Sequence, residues 1–187
     1  MDEVKSTYPN ADIKAWAFDE HRIGLKPVFR RIWALEGHRI VVSVNHRFKW
    51  SYVYGYVCPE TGETHWQILP YVCVEEFNLS LADLAISINI SENKQIILVM
   101  DRAGWHTSPD LVIPPWIHFV FLPPYTPELQ PAERLWPLTN ECLVNKYFTN
   151  IEELEDVQGR WCAELSNNNE LIKSHTNFHW WPESENN

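Results

Sequence analysis

Positive charge is scarce in this chain: 15 Lys and Arg stand against 25 Asp and Glu, a formal −10 at pH 7. Nucleic-acid domains are generally basic on at least one face, so this balance argues against strong, independent binding of a polyanion. Long apolar runs are missing too. No span reaches the ~20 apolar residues of a membrane helix, and no secretory signal pattern opens the chain. The four cysteines, Cys58, Cys73, Cys142 and Cys162, show no CxxC spacing. That excludes a paired-cysteine zinc site and reads as reduced, buried thiols of a cytosolic protein. No internal repeat is visible. Tryptophan, by contrast, is plentiful, with ten in 187 residues, most of them expected to pack. The length is that of one domain able to bury a real core.

The charge is unevenly spread. Residues 1–50 carry nine Lys/Arg and six Asp/Glu, while the remainder carries six and nineteen. Arg22, Lys26, Arg30, Arg31, Arg39, Arg47 and Lys49 are therefore candidates for a phosphate-facing strip, with an ordinary solvated surface as the alternative for each. A domain so charged is expected to hold a polyanion weakly by itself.

Two short apolar runs each close on an aspartate. Asp19 follows 13–18 (IKAWAF) and Asp101 follows 96–100 (IILVM), and both runs read as strands. The second is nearly unbroken aliphatic, as in a central strand covered on both faces. An acid at the carboxyl end of such a strand sits where open α/β sheets place their chemistry. If the two strands are parallel neighbours, their carboxylates meet. A third acid, Glu133, lies in the segment 122–136 (LPPYTPELQPAERLW), whose prolines stiffen the approach and whose Pro131 suits the first position of a helix. Glu128 is its rival within the same loop. Glu20 would face away from Asp19 if the strand continued. Clustered carboxylates repel, and a hard divalent cation removes that penalty. Two such ions about 3.5–4 Å apart support phosphodiester chemistry.

Elsewhere the pattern predicts strands over 39–44, 52–57, 64–69 and 117–122. A helix over 75–89 would have Phe77, Leu81, Leu84, Ala85 and Ile88 inward, and a short helix would begin at Ser108. An acidic helix over 149–165 would have Ile151, Leu154, Val157 and Trp161 inward. Trp105 and Trp136 read as packing anchors, and Tyr125 as an exposed residue of the proline loop. His175 and His179 stand four apart without a nearby ligand set.

The blocks AFDEH around Asp19, VMDRAGWH from Val99 to His106, and LPPYTPELQPAERLW resemble the three signature blocks of DDE/DDD transposases, specifically the bacterial insertion-sequence branch of the mariner superfamily. The resemblance runs from about Ala15 to Lys146. It implies an α/β, RNase H-like mixed five-stranded sheet flanked by helices, with Asp19, Asp101 and Glu133 as catalytic and metal-binding acids. His106, Glu20 and Arg102 would support them. Arg22, Lys26, Arg30, Arg31 and Tyr125 would contact DNA. Arg102 departs from the Asn or Gly common after the second acid. Glu36 departs from the basic residue common in the block containing Trp33, Ala34 and Gly37. The resemblance further implies Mg or Mn, as two ions, and DNA partners: transposon ends and a target cut at TA. It implies a homodimer or higher form when active, in the bacterial cytoplasm beside the nucleoid. The chain reads as a single catalytic domain over 1–187 with short flexible ends at about 1–12 and 176–187. It would lack the family's amino-terminal helix-turn-helix, so a separate polypeptide would read the DNA. The alternatives are an RNase H-like nuclease without strand transfer and an inactive, host-adopted module for DNA binding or assembly.

Overall fold

The computed structural model describes residues 1–38, 41–45 and 47–182. Its centre is β1 (Asp12–Gly24), which serves two different neighbours along its length. The first half pairs in parallel with β4 (Lys94–Met100), ending at Ala17↔Val99. The second half pairs antiparallel with β2 (Trp50–Cys58), from Ala17↔Val57 to Gly24↔Trp50. β3 (Glu63–Leu69) extends the β2 side, and β5 (Ile117–Phe121) adds in parallel beyond β4, giving the order β3-β2-β1-β4-β5. Asp19 thus lies inside a strand and does not close one. β1 continues because β2 keeps satisfying its backbone after β4 has ended.

Alternation along the strands builds two cores, one on each face. Trp16, Phe18, Tyr54, Tyr56, Leu98 and Met100 pack under α2 (Val74–Ser87) through Phe77, Leu81 and Leu84. Ala15, Ala17, Val53, Val57 and Val99 face α3 (Leu135–Thr139), α4 (Ile151–Leu165) and α5 (Asn169–Thr176). Asn150 caps α4, its side chain accepting from the Glu153 N–H at 2.8 Å. A short amino-terminal helix, α1 (Asp2–Thr7), precedes β1, where no element is expected from the pattern. Among the described residues no helix is long and apolar enough to cross a membrane. All four cysteines are free, with Cys73 only half-buried.

Several expectations change. The predicted strand at 39–44 falls partly outside the described residues, which omit Arg39 and Ile40; 41–44 has no regular structure. No helix begins at Ser108. Instead Asn78 on α2 takes up that loop's backbone, accepting from the Val112 N–H at 2.8 Å and donating to the Asp110 carbonyl at 3.1 Å. The buried face of α4 is Leu154, Gln158, Cys162 and Leu165, with Val157 and Trp161 only half-buried. Gln158 is accommodated because its amide donates to the Thr139 carbonyl at 3.2 Å and accepts from the Cys142 thiol at 3.4 Å. α5 has no counterpart among the expected elements, and it ends at Thr176, so His175 and His179 share no helical face.

Candidate catalytic site

The parallel ladder stops one residue before Phe18, leaving that end of β1 open on the β4 side. Extending the register two residues puts Asp101 beside Asp19. The open Phe18 carbonyl accepts from the side-chain amide of Gln130 at 2.9 Å, and the same side chain accepts from the Ala132 N–H at 3.4 Å. Gln130 is buried and caps the 3-10 turn Pro131–Arg134, which carries Glu133. One glutamine therefore fixes the third acid's turn against the strand that carries the first. Sequence reasoning missed it. The available signal was a glutamine directly before a helix-starting proline.

Asp19, Asp101 and Glu133 line one cavity of about 350 Å³, with Arg102, Tyr125 and Gln130 among the other lining residues. The geometry thus brings together acids from β1, the end of β4 and the proline loop. Glu128 is exposed and does not line this cavity. Among the described residues no three His, Cys, Asp or Glu side chains are drawn into a ready ion cage. The acids share a cavity, and Asp19 and Asp101 are each held by their own partners.

Those partners are specific. Trp136 donates its indole N–H to Asp19 Oδ2 at 2.9 Å, and its ring stacks on His21 at 5.0 Å and 13°. Asp101 Oδ1 accepts from the Ala103 N–H at 3.0 Å and faces His106 Nδ1 at 2.8 Å. His106 Nε2 lies 3.0 Å from Glu20 Oε1, which also accepts from the Trp105 indole at 2.9 Å. Trp105 and Trp136 are more than packing anchors, because a buried indole N–H needs an acceptor. Glu20 faces away from Asp19, as expected, into the α2 side, where it is 7% exposed beside a 1% exposed His106. His106 thus bridges a buried carboxylate and the exposed Asp101.

Electrostatics follow from these surroundings. Burial raises the Asp19 pKa to about 7; the Trp136 bond opposes the shift and the Glu20 and Glu133 charges add to it. Burial also raises Glu133, with Arg134 opposing and Asp101 and Glu128 adding. Asp101 is held below the ordinary carboxylate range, chiefly by its hydrogen bond with His106. Burial would lower His106, but the bonds and charges of Asp101 and Glu20 outweigh it and carry the pKa up to about 9.

The candidate DNA-contacting residues divide. Arg22 lies over the Trp50 ring at 5.7 Å and Lys26 over Phe48 at 4.3 Å. Arg30 is already engaged, its guanidinium 2.7 Å from the Glu141 carboxylate, because the loop and the turn after α3 are pinned together there. Arg31 is exposed, and Arg39 lies outside the described residues. Arg102 covers the Phe121 ring at 5.4 Å, at the rim of the acid cavity. Tyr125 is 99% exposed with φ 61°, held outward by the proline loop.

The chain is 35% identical over 115 residues to an uncharacterized protein of Sinorhizobium fredii, covering 61% of this chain and 82% of that one. The fold matches the Mos1 mariner paired end complex with Mn, at a TM-score of 0.59 and 14% identity over 94% of this chain. It also matches the simian T-cell lymphotropic virus intasome in complex with PP2A regulatory subunit B56 gamma, at 0.57 and 13% over 95%. The chain spans only 58% and 59% of those two chains. The mixed sheet flanked by helices is therefore the RNase H-like fold that the sequence blocks imply. Residues 14–155 match the profile of the DDE superfamily endonucleases. Because that span runs from β1 through the turn bearing Glu133 and into α4, taking in all three acids of the cavity, the chain belongs to the DDE endonuclease superfamily.

Proposed function

We propose that this domain is a transposase catalytic domain that cuts DNA at transposon ends and joins the freed 3′ hydroxyls to target DNA at TA. The observation that carries the reading is the single cavity lined by Asp19, Asp101 and Glu133. The donor set suits Mg or Mn: three carboxylates from three separate elements, two of them with raised pKa, a penalty that a cation relieves. The Mos1 complexes of similar fold hold Mn or Mg, which favours the same pair here. Asp19, Asp101 and Glu133 would hold two ions, whose chemistry is to acidify the attacking hydroxyl and stabilise the leaving oxygen.

The protein's own part is positioning. Trp136 fixes Asp19 Oδ2, while the Ala103 N–H and His106 fix Asp101 Oδ1. Gln130 holds the turn of Glu133. In the first step a water oxygen bonds to phosphorus and the bond to the 3′ oxygen breaks, leaving a 3′ hydroxyl and a 5′ phosphate. In the second, the oxygen of that hydroxyl bonds to a target phosphorus, the target's own bond from phosphorus to its 3′ oxygen breaks, and the released 3′ oxygen ends as a hydroxyl, taking up the proton that the attacking hydroxyl gives up. Joining two ends calls for at least a dimer.

Incubating the protein with supercoiled plasmid and Mg or Mn tests this. Nicked and joined products are expected, and Asp101→Asn should abolish both while leaving the circular dichroism spectrum unchanged. Cutting without any joined product would favour a nuclease. Full activity in Asp101→Asn would remove the assigned role.

A further inference from the structure

A second concave site lies along the same strand. About 380 Å³ in volume, it is walled by the end of β1, the start of β2 and the segment between them. Arg22, Lys26, Arg47 and Lys49 line it beside Phe48 and Trp50, and no acidic residue does. None of these four cations joins an ion pair among the described residues, although acids outnumber bases 25 to 15 in the chain. Gathering four unpaired like charges in one hollow is unfavourable unless an anion arrives, and such a hollow concentrates the positive field.

The cleft lies beyond the acid cavity along β1, with Trp136 between the two. His21 lines the cleft, stacks on Trp136, and Trp136 holds Asp19. His21 to Gly24 lie two to five residues beyond Asp19 on β1. At ~3.3 Å per strand residue that is about 7–17 Å, or roughly two to five steps of a DNA strand rising ~3.4 Å each. An anion long enough to span both sites is a polynucleotide backbone.

We propose that this cleft grips the sugar–phosphate backbone of the DNA about two to five nucleotides from the bond cut at the acid cavity. The inference rests on the DNA-cutting reading for its register, though not for the binding itself. Phosphates replace Trp50 and Phe48 as partners of Arg22 and Lys26, while Arg47 and Lys49 meet the backbone directly. Contacts to the backbone carry no sequence information, so the cleft's contribution is sequence-independent and salt-sensitive.

The test uses a labelled duplex oligonucleotide and fluorescence anisotropy across a salt series, without divalent ions. Because log affinity falls with log salt by ~0.9 per neutralised phosphate, Arg47→Gln/Lys49→Gln should flatten the slope by about 1.8. Arg22→Gln/Lys26→Gln should do the same, while Arg160→Gln, paired with Asp156 on α4, should leave the slope unchanged. All four side chains are exposed, so the fold should persist, checked by circular dichroism. Wild-type slopes in both double variants would overturn the proposal. So would inorganic phosphate displacing the duplex better than chloride at equal ionic strength, which would mark a small-anion site. Asp101→Asn keeps the slope if the cleft is right. Loss of cutting therefore tests the acid site separately, and ethylation interference outside the two-to-five-nucleotide interval would overturn the register.

Discussion

Gly55 is the position where one methyl group should separate stability from function. It stands opposite Asp19 in the β1–β2 ladder. A Cβ there would lie 2.8 Å from Trp136 Cη2, 3.1 Å from its Cζ3 and 3.1 Å from Trp66 Cζ3. Ordinary contact begins near 3.4 Å, so an indole must move by about 0.6 Å or more. Trp66 cannot yield easily, because its N–H is held by Thr64 Oγ1 at 2.9 Å and Ser166 Oγ at 3.1 Å. Trp136 is the ring that moves, and its N–H is the one that fixes Asp19. Overpacking of this kind costs about 1–3 kcal/mol, which leaves a domain of ~5–15 kcal/mol folded. Misplacing a catalytic group by ~1 Å can cost ~100-fold in rate, so Gly55→Ala is expected to cut DNA roughly 10–100-fold more slowly. The assay pairs urea unfolding with plasmid nicking under Mn. Gly159→Ala is the control: its Cβ would meet only Ile68 Cδ1 at 3.7 Å inside α4. It should stabilise by roughly 0.5–1 kcal/mol and leave cutting intact. Wild-type cutting and an unchanged unfolding midpoint in Gly55→Ala would refute the argument that Trp136 positions Asp19.

Gln130→Leu removes the donor to the buried Phe18 carbonyl and the cap of the Glu133 turn, so a loss of about 1–3 kcal/mol in urea unfolding is expected, with slower cutting. Undiminished stability would mean that water replaces the amide. His106, with a folded pKa raised from 6.5 to about 9, contributes stability present in full below pH 6.5 and lost as pH rises through 9. Glu20→Gln keeps the acceptor but removes the charge, so the His106 NMR titration should move down from 9; an unmoved midpoint would contradict the coupling. Asp19 works with the opposite chemistry but the same slope: raised to about 7, it favours the folded state in its protonated form, and that stability is lost between pH 3.8 and 7. Above pH 7, Asp19→Asn should therefore raise the melting temperature without metal. Mn should raise that of the wild type but not of the variant, measured by thermal shift.

Much of this was legible in the chain because it is local. The apolar run before Asp101, the alternation of Tyr52, Tyr54 and Tyr56, and Pro131 ahead of Glu133 are patterns that backbone sterics and burial impose within a few residues. The three acids could be chosen from the sequence blocks, and the cavity collects them. What the chain did not reveal depends on partners far along it. Asp19 sits mid-strand because β2 takes over where β4 stops, and no local pattern records that handover. Gln130 matters because a carbonyl 112 residues earlier is left open there. Trp105 and Trp136 bond to acids on β1, 85 and 117 residues away, and turn two apparent packing residues into positioning ones. The basic cleft likewise exists only because the residues flanking β1 and β2 fold back on each other. Residue type and local period determined which groups carry charge and which strands form; register and long-range hydrogen bonds, which only the folded chain satisfies, decided which of those groups meet.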